Sequence, residues 1–229
     1  MLLTLQNLLT ADEVAHARAL LDSPEARWNE GALSAGSQAV AFKHNRQMAQ
    51  DCACLPELQN LVLTALRRDP LLFSAALPKK IFNPMFNRYG GETNHYGAHI
   101  DGAMLHSKQP DQWVRTDLSC TLFLADPGSY DGGELLIQDH LGAQRIKLAA
   151  GDAVLYPGNR LHEVTPVTRG ERLASFLWIE SMVRSEEQRQ LLFDMDMALL
   201  KLRQRHGESS ETLRLSDTYH RLLRLWADT

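Results

Sequence analysis

Apolar positions along the chain change their period twice. From residue 10 to about residue 69, apart from residues 24–43, they recur at helical spacing. From Lys79 to about Glu180 they come in short runs of Ile, Phe, Leu and Val, cut by Gly, Asp and Pro; after Glu180 the helical spacing returns. Residues 2–9 read as a short strand or lead-in. Thr10-Ala-Asp-Glu13 has the form of a capping box, in which hydroxyl and carboxylate satisfy free amides at a helix start. The helix it opens runs to about Leu21, with Val14, Ala17, Leu20 and Leu21 on one face, and Ser23-Pro24 stops it. Residues 24–43, with Trp28, Gly31 and Gly36, show no clean period and read as loop with room for one strand. Asn45 to Asp69 is expected to be helical, interrupted near Pro56, with Leu58, Leu61, Val62, Ala65 and Leu66 as its buried stripe.

The middle of the chain holds eight predicted strands, at about 80–89, 95–101, 117–125, 134–138, 144–149, 153–156, 161–167 and 171–180. Gly132-Gly133 and Ala150-Gly151-Asp152 supply turn chemistry between them. Eight strands at this spacing fit a double-sheet jelly roll. Beyond it, Ser185-Glu-Glu-Gln188 is again a capping-box pattern, followed by Leu191, Leu192, Met195, Leu199 and Leu202 at helical spacing. Gly207 and Ser209-Ser210 break that helix, and a last one from about Ser216 carries Tyr219, Leu222, Leu223 and Trp226 on one face. So short a helix needs its apolar face covered, either by the rest of the chain or by a second copy in a homo-oligomer. The fold class is therefore mainly β with flanking helices (α+β). A helical support region spans 1–79, a double-stranded β-helix core 80–180, and a C-terminal helical region 181–229 packs into the same unit.

Composition narrows the function. A chain of 229 residues, 44% hydrophobic and 23% charged, can bury a sizeable core. A net charge of −4 offers no basic footprint for nucleic acid. Cys52, Cys54 and Cys120 make neither a disulfide framework nor the usual zinc spacing, and free thiols suit a reducing cytoplasm. The apolar N-terminus lacks a basic region before it, and no run approaches the roughly 18–20 apolar residues of a membrane span.

The chemistry centres on Tyr96-Gly-Ala-His99-Ile-Asp101-Gly102. In an extended strand, side chains two apart share a face about 6.6 Å apart, so His99 and Asp101 can address one metal ion. A third ligand must come from elsewhere. His162 is the best placed, because the second and seventh strands of such a roll can be neighbours. Two histidines and one carboxylate form a facial triad that leaves positions open on Fe(II). Arg172 follows ten residues after His162.

His99-x-Asp101, His162 and Arg172 on an eight-strand pattern resemble the Fe(II)/2-oxoglutarate-dependent dioxygenases over about residues 80–180. Phe86-Asn-Arg-Tyr-Gly-Gly91 and Tyr156-Pro-Gly158 are similar to stretches of the bacterial PKHD-type hydroxylases, and that likeness runs over nearly the whole chain. The resemblance implies Fe(2+) on His99, Asp101 and His162, and 2-oxoglutarate with its far carboxylate on the fork of Arg172. It implies O2 and a small-molecule or peptide substrate, release of succinate and CO2, L-ascorbate as reductant and a link to iron uptake. Tyr89 stands where related prolyl hydroxylases place a tyrosine that donates to 2-oxoglutarate, core packing being the alternative. Trp178 is expected to wall the pocket. Phe176 departs from the pattern, since some prolyl hydroxylases carry a hydroxyl residue there. His95 is expected near the mouth or in a loop, and His106 and His140 in solvated turns. Asp126 to Gly133 reads as a connection between strands rather than a calcium loop. The competing function is a cupin-like jelly roll that senses iron or a small acid without turnover; an oligomeric scaffold is a third reading.

Overall fold

The ten-residue strand Arg172–Ser181 is the spine of the fold. The structure is a computed structural model that describes residues 1–34, 40–139 and 142–229. Leu118–Phe123 flanks the spine on one side, and Met85–Tyr89 and Pro78–Ile81 pair along the other. The sheet continues through Ala153–Pro157 to Leu3–Leu5 at one edge, and through Arg46–Met48 to Trp28–Glu30 at the other. A second sheet runs Gly142–Ile146, Leu135–Asp139, His162–Val164, His95–His99, Lys43–His44. All these pairings are antiparallel. One cluster of buried apolar side chains, from Leu5 and Phe86 to Leu135 and Ile137, joins both sheets and the N-terminal helices. The result is a jelly roll with helices at both ends of the chain, as the period changes predict.

Several elements differ from the sequence expectation. The first predicted core strand is two, Pro78–Ile81 and Met85–Tyr89, because Pro84 between them has no N–H to give a ladder. A hairpin, Met104–Lys108 with Asp111–Arg115, follows the Asp101 turn and carries the exposed His106 on a strand, its Nε2 2.7 Å from Asp111. His140 lies outside the described residues, as does Gly36.

The largest correction concerns Asn45 to Asp51. The helix begins at Leu55, and Pro56 sits in its first turn, where its missing N–H costs nothing. Upstream, Lys43–His44 joins the second sheet and Arg46–Met48 the first. Lys43, Asn45 and Gln47 are buried while His44 and Arg46 are exposed. This is strand alternation with polar residues on the inward face, so a search for apolar period misses it.

The helix Ala11–Leu21 has the predicted capping box, with Glu13 N–H on Thr10 Oγ1 and Thr10 N–H on Glu13 Oε2. At the other end, Gly207 (φ 74°) closes the helix Glu186–His206. Helix Ser210–Trp226 then starts well before Ser216, capped by Ser209. Its first apolar residues, Leu213 and Leu215, are exposed, which hid its start. Tyr219, Leu222, Leu223 and Trp226 pack on Leu77, Val183 and Leu192, so this face is covered within the chain. Leu192 is 1% exposed at the centre of that junction. Leu192→Ala is expected to destabilise the protein by about 2–4 kcal/mol, read from urea unfolding. Among the described residues no helix is long and apolar enough to cross a membrane.

Candidate metal centre and its cavity

A cavity of about 400 Å³ opens between the two sheets, lined by His99, Asp101 and His162 together with Arg172, Tyr89 and Trp178. The ladder between His95–His99 and His162–Val164 sets His162 directly opposite His99. This brings together residues far apart in the chain. Asp101 does not reach the site by strand alternation, because the strand ends at His99. Its carboxylate is held from the opposite sheet, where Ser119 Oγ donates to Oδ2 at 2.7 Å. The other oxygen, Oδ1, lies 4.0 Å from His99 Nε2 and 3.8 Å from His162 Nε2.

The two imidazoles are oriented from behind. His99 Nδ1 lies 2.8 Å from the Gly97 carbonyl and His162 Nδ1 2.9 Å from that of Arg160. A carbonyl only accepts, so the proton belongs on Nδ1 and each Nε2 lone pair faces Asp101. Tyr96 stacks on His99 with ring centroids 3.6 Å apart. Burial, with His162 close by, pushes the His99 pKa down to about 4, so the ring is neutral at pH 7. One atom from each of the three residues lies within 4.8 Å of the others. Two imidazoles and a carboxylate, each fixed by an outer hydrogen bond, fit a divalent transition metal such as Fe(II).

Arg172 sits in the same cavity, 1% exposed. Its guanidinium carbon lies 5.2 Å from the ring centroids of both Tyr89 and Phe123. Nε and Nη1 have no hydrogen-bond partner among the described residues. An uncompensated buried cation is strongly destabilising, and this donor pair can take an anion that enters the cavity. Gly133 makes the space: at φ 64°, an added Cβ there would stand 3.1 Å from Arg172 Cδ. Tyr89 is buried beneath the guanidinium and also lines the cavity, so it both packs and faces it. Burial raises its pKa, which keeps the hydroxyl protonated as a donor.

Phe176 and Trp178 follow Arg172 by alternation and line the cavity, their rings 5.5 Å apart in a T-shaped contact. His95 is on the strand but stacks near His44, with centroids 4.7 Å apart, and is not a lining residue. Asp126 accepts from Gly128 N–H at 2.8 Å in an ordinary turn, and Asp131 pairs with Arg169. Sequence reasoning missed Lys43, Asn45 and Asn87, which also line the cavity. Their signal was the polar period of two at Lys43, Asn45 and Gln47.

The family described as the 2OG-Fe(II) oxygenase superfamily matches residues 84–180, and the PKHD-type hydroxylase C-terminal domain matches residues 186–228. A PKHD-type hydroxylase of Verminephrobacter eiseniae is 55% identical over 229 residues, covering 100% of both chains. Among solved structures, a Pseudomonas putida prolyl-4-hydroxylase is similar with a TM-score of 0.51 and 22% identity, over 78% of this chain and 92% of that one. A Trichoplax adhaerens prolyl hydroxylase, in complex with a hypoxia inducible factor peptide fragment, aligns with a TM-score of 0.53 and 15% identity, over 83% and 86%. At such identities the structural likeness speaks for the jelly-roll fold.

Proposed function

The chain belongs to the PKHD-type hydroxylases of the 2OG-Fe(II) oxygenase superfamily, and we propose that its cavity hydroxylates a C–H bond of an amino acid residue, a peptide or a small metabolite. In this reading His99, Asp101 and His162 hold Fe(II), and Arg172 with Tyr89 takes the far carboxylate of 2-oxoglutarate. Bound iron and 2-oxoglutarate supply the oxidising chemistry, using O2 and releasing succinate and CO2. The protein's part is positional. Gly97 and Arg160 carbonyls hold the imidazole protons away from the metal side, and Ser119 leaves one oxygen of Asp101 to bind. Phe176, Trp178 and Leu135 keep the walls apolar. L-Ascorbate as reductant, a cytoplasmic location and a link to iron uptake belong to the same proposal and rest on family association and, for location, on free thiols.

The observation that carries the reading is the buried Arg172 guanidinium, with Nε and Nη1 unpartnered among the described residues, in the cavity of the triad. A protein that only sensed iron would have no use for it. The test supplies the full-length protein with Fe(II), O2, 2-oxoglutarate and a cell-extract fraction of peptides and metabolites. Succinate is expected only when iron, O2 and 2-oxoglutarate are all present. Iron binding without 2-oxoglutarate binding or consumption would establish the sensor instead.

A further inference from the structure

Two thiols that take no part in the cavity meet at the start of a helix. Cys52 and Cys54 stand in the turn between strand Arg46–Met48 and helix Leu55–Arg68, away from the cavity lining. Their Sγ atoms are 3.2 Å apart, one thiol donating to the other. A disulfide spans about 2.05 Å, so an approach of roughly 1 Å would close the pair. The turn that brings them together is fixed by its backbone. Cys52 N–H donates to the Ala49 carbonyl and Leu55 N–H to that of Cys52, both at 3.1 Å. Cys54 occupies the cap position of the helix, yet its side chain makes no capping bond and is left to the other sulfur.

Solvent is one residue away. Gln50, Asp51 and Ala53 are exposed, so both thiols face inward from a surface turn, Cys52 2% and Cys54 8% exposed. A turn of this kind opens locally at less cost than the core unfolds, which admits a small oxidant. The two sulfurs also differ. Burial opposes ionisation of Cys52, but the Arg27 backbone and the Cys54 thiol outweigh it and bring its pKa below the usual thiol value. Burial and the adjacent Cys52 push Cys54 up to about 11. Cys52 is therefore the readier thiolate, with a protonated thiol beside it. Cys120 is the contrast: it lies on core strand Leu118–Phe123, and burial pushes its thiol up to about 12.

We propose that Cys52 and Cys54 form a redox modification site, a dithiol that hydrogen peroxide or an organic hydroperoxide oxidises to an intrachain disulfide. The Cys52 thiolate attacks one peroxide oxygen, the O–O bond breaks, the leaving oxygen takes up a proton, and Cys52 becomes a sulfenic acid. The Cys54 sulfur then attacks the Cys52 sulfur. The S–O bond breaks, and hydroxide departs as water with the Cys54 proton. In sum, two thiols give up two electrons and two protons, and hydrogen peroxide is reduced to two waters. Small thiols reverse the bond, which suits a compartment where disulfides are transient. Neither the cavity nor its metal enters this chemistry.

The test treats the reduced full-length protein, kept free of iron by a chelator, with hydrogen peroxide at pH 7. The reaction is stopped with N-ethylmaleimide in denaturant and read by intact mass and peptide mapping. Of the three free cysteines, two are expected to be lost from alkylation, with the mass of the protein lower by two hydrogens before labelling. The bridging peptide should join Cys52 to Cys54, Cys120 should remain alkylated, and dithiothreitol should restore all three thiols. In Cys54→Ser no bridge can form, and dimedone should trap a sulfenic acid on Cys52 at least about tenfold faster than on Cys120. Three alkylated thiols in wild type after peroxide, or a bridge to Cys120 instead, would overturn the proposal. So would a bridge that formed only after unfolding in urea, since the folded turn would then contribute nothing. The wild-type result decides on its own should Cys54→Ser not fold.

Discussion

Asp101→Ala is expected to lower Fe(II) affinity more than about 100-fold while the apoprotein stays folded. Losing a supporting outer-shell partner alone costs about 10–100-fold, and Asp101 is itself a proposed ligand. It is also the single carboxylate of the group, the one anionic ligand that offsets the charge of a bound dication. Without it two imidazoles remain, their Nε2 atoms still directed by Gly97 and Arg160. The fold should survive because Asp101 lies past the end of its strand and its short hydrogen bond is to one hydroxyl, Ser119 Oγ. Ser119→Ala should reproduce a milder version, about 10-fold, by freeing the carboxylate to turn away. Anaerobic titration with Fe(II), or with Mn(II) followed by its paramagnetic resonance, reads both. An unchanged affinity in Asp101→Ala would remove this residue from the site and with it the facial triad.

Arg172→Met should do two things of opposite sign. The apoprotein should become more stable, by about 1–4 kcal/mol, because a buried charge is replaced by an apolar side chain of similar length. The Tyr89 and Phe123 faces flank the guanidinium and offset part of that gain. At the same time the stabilisation that 2-oxoglutarate gives the wild type should vanish; at a hundred times its dissociation constant this amounts to about 2.7 kcal/mol. Arg172→Lys keeps the charge without the planar fork and should bind 2-oxoglutarate with intermediate affinity. Thermal unfolding of the metal-loaded proteins with and without 2-oxoglutarate measures both effects. A destabilised apo variant that still binds 2-oxoglutarate like wild type would mean that Arg172 is satisfied within the protein.

The division between what could be read and what could not follows the range of the forces. Local features were legible from the chain. The Thr10–Glu13 box, the change from a period of 3.6 to a period of 2 near Lys79, the return after Glu180 and the stop at Gly207 each depend on a few neighbouring residues. His99-x-Asp101, His162 and Arg172 were legible as chemistry, since their types and spacing resemble a known family pattern. The tertiary structure decided how they meet. His162 faces His99 only through the ladder joining two distant strands, and Asp101 is aimed by Ser119 of the other sheet rather than by the pleat of its own strand. The N-terminal strands were hidden for another reason. Lys43, Asn45 and Gln47 turn inward although they are polar, and hydrophobic patterning presumes that the inward face is apolar. That presumption fails where a roll encloses a cavity with polar walls, as at Lys43 and Asn45, and where inward polar groups bond one another, as Lys43 Nζ does with Gln47 Oε1. The sequence by itself therefore determined the class of fold, most of the core strands and the residue types of the candidate metal centre, whereas only the pairing of the two sheets decided which polar side chains share the cavity.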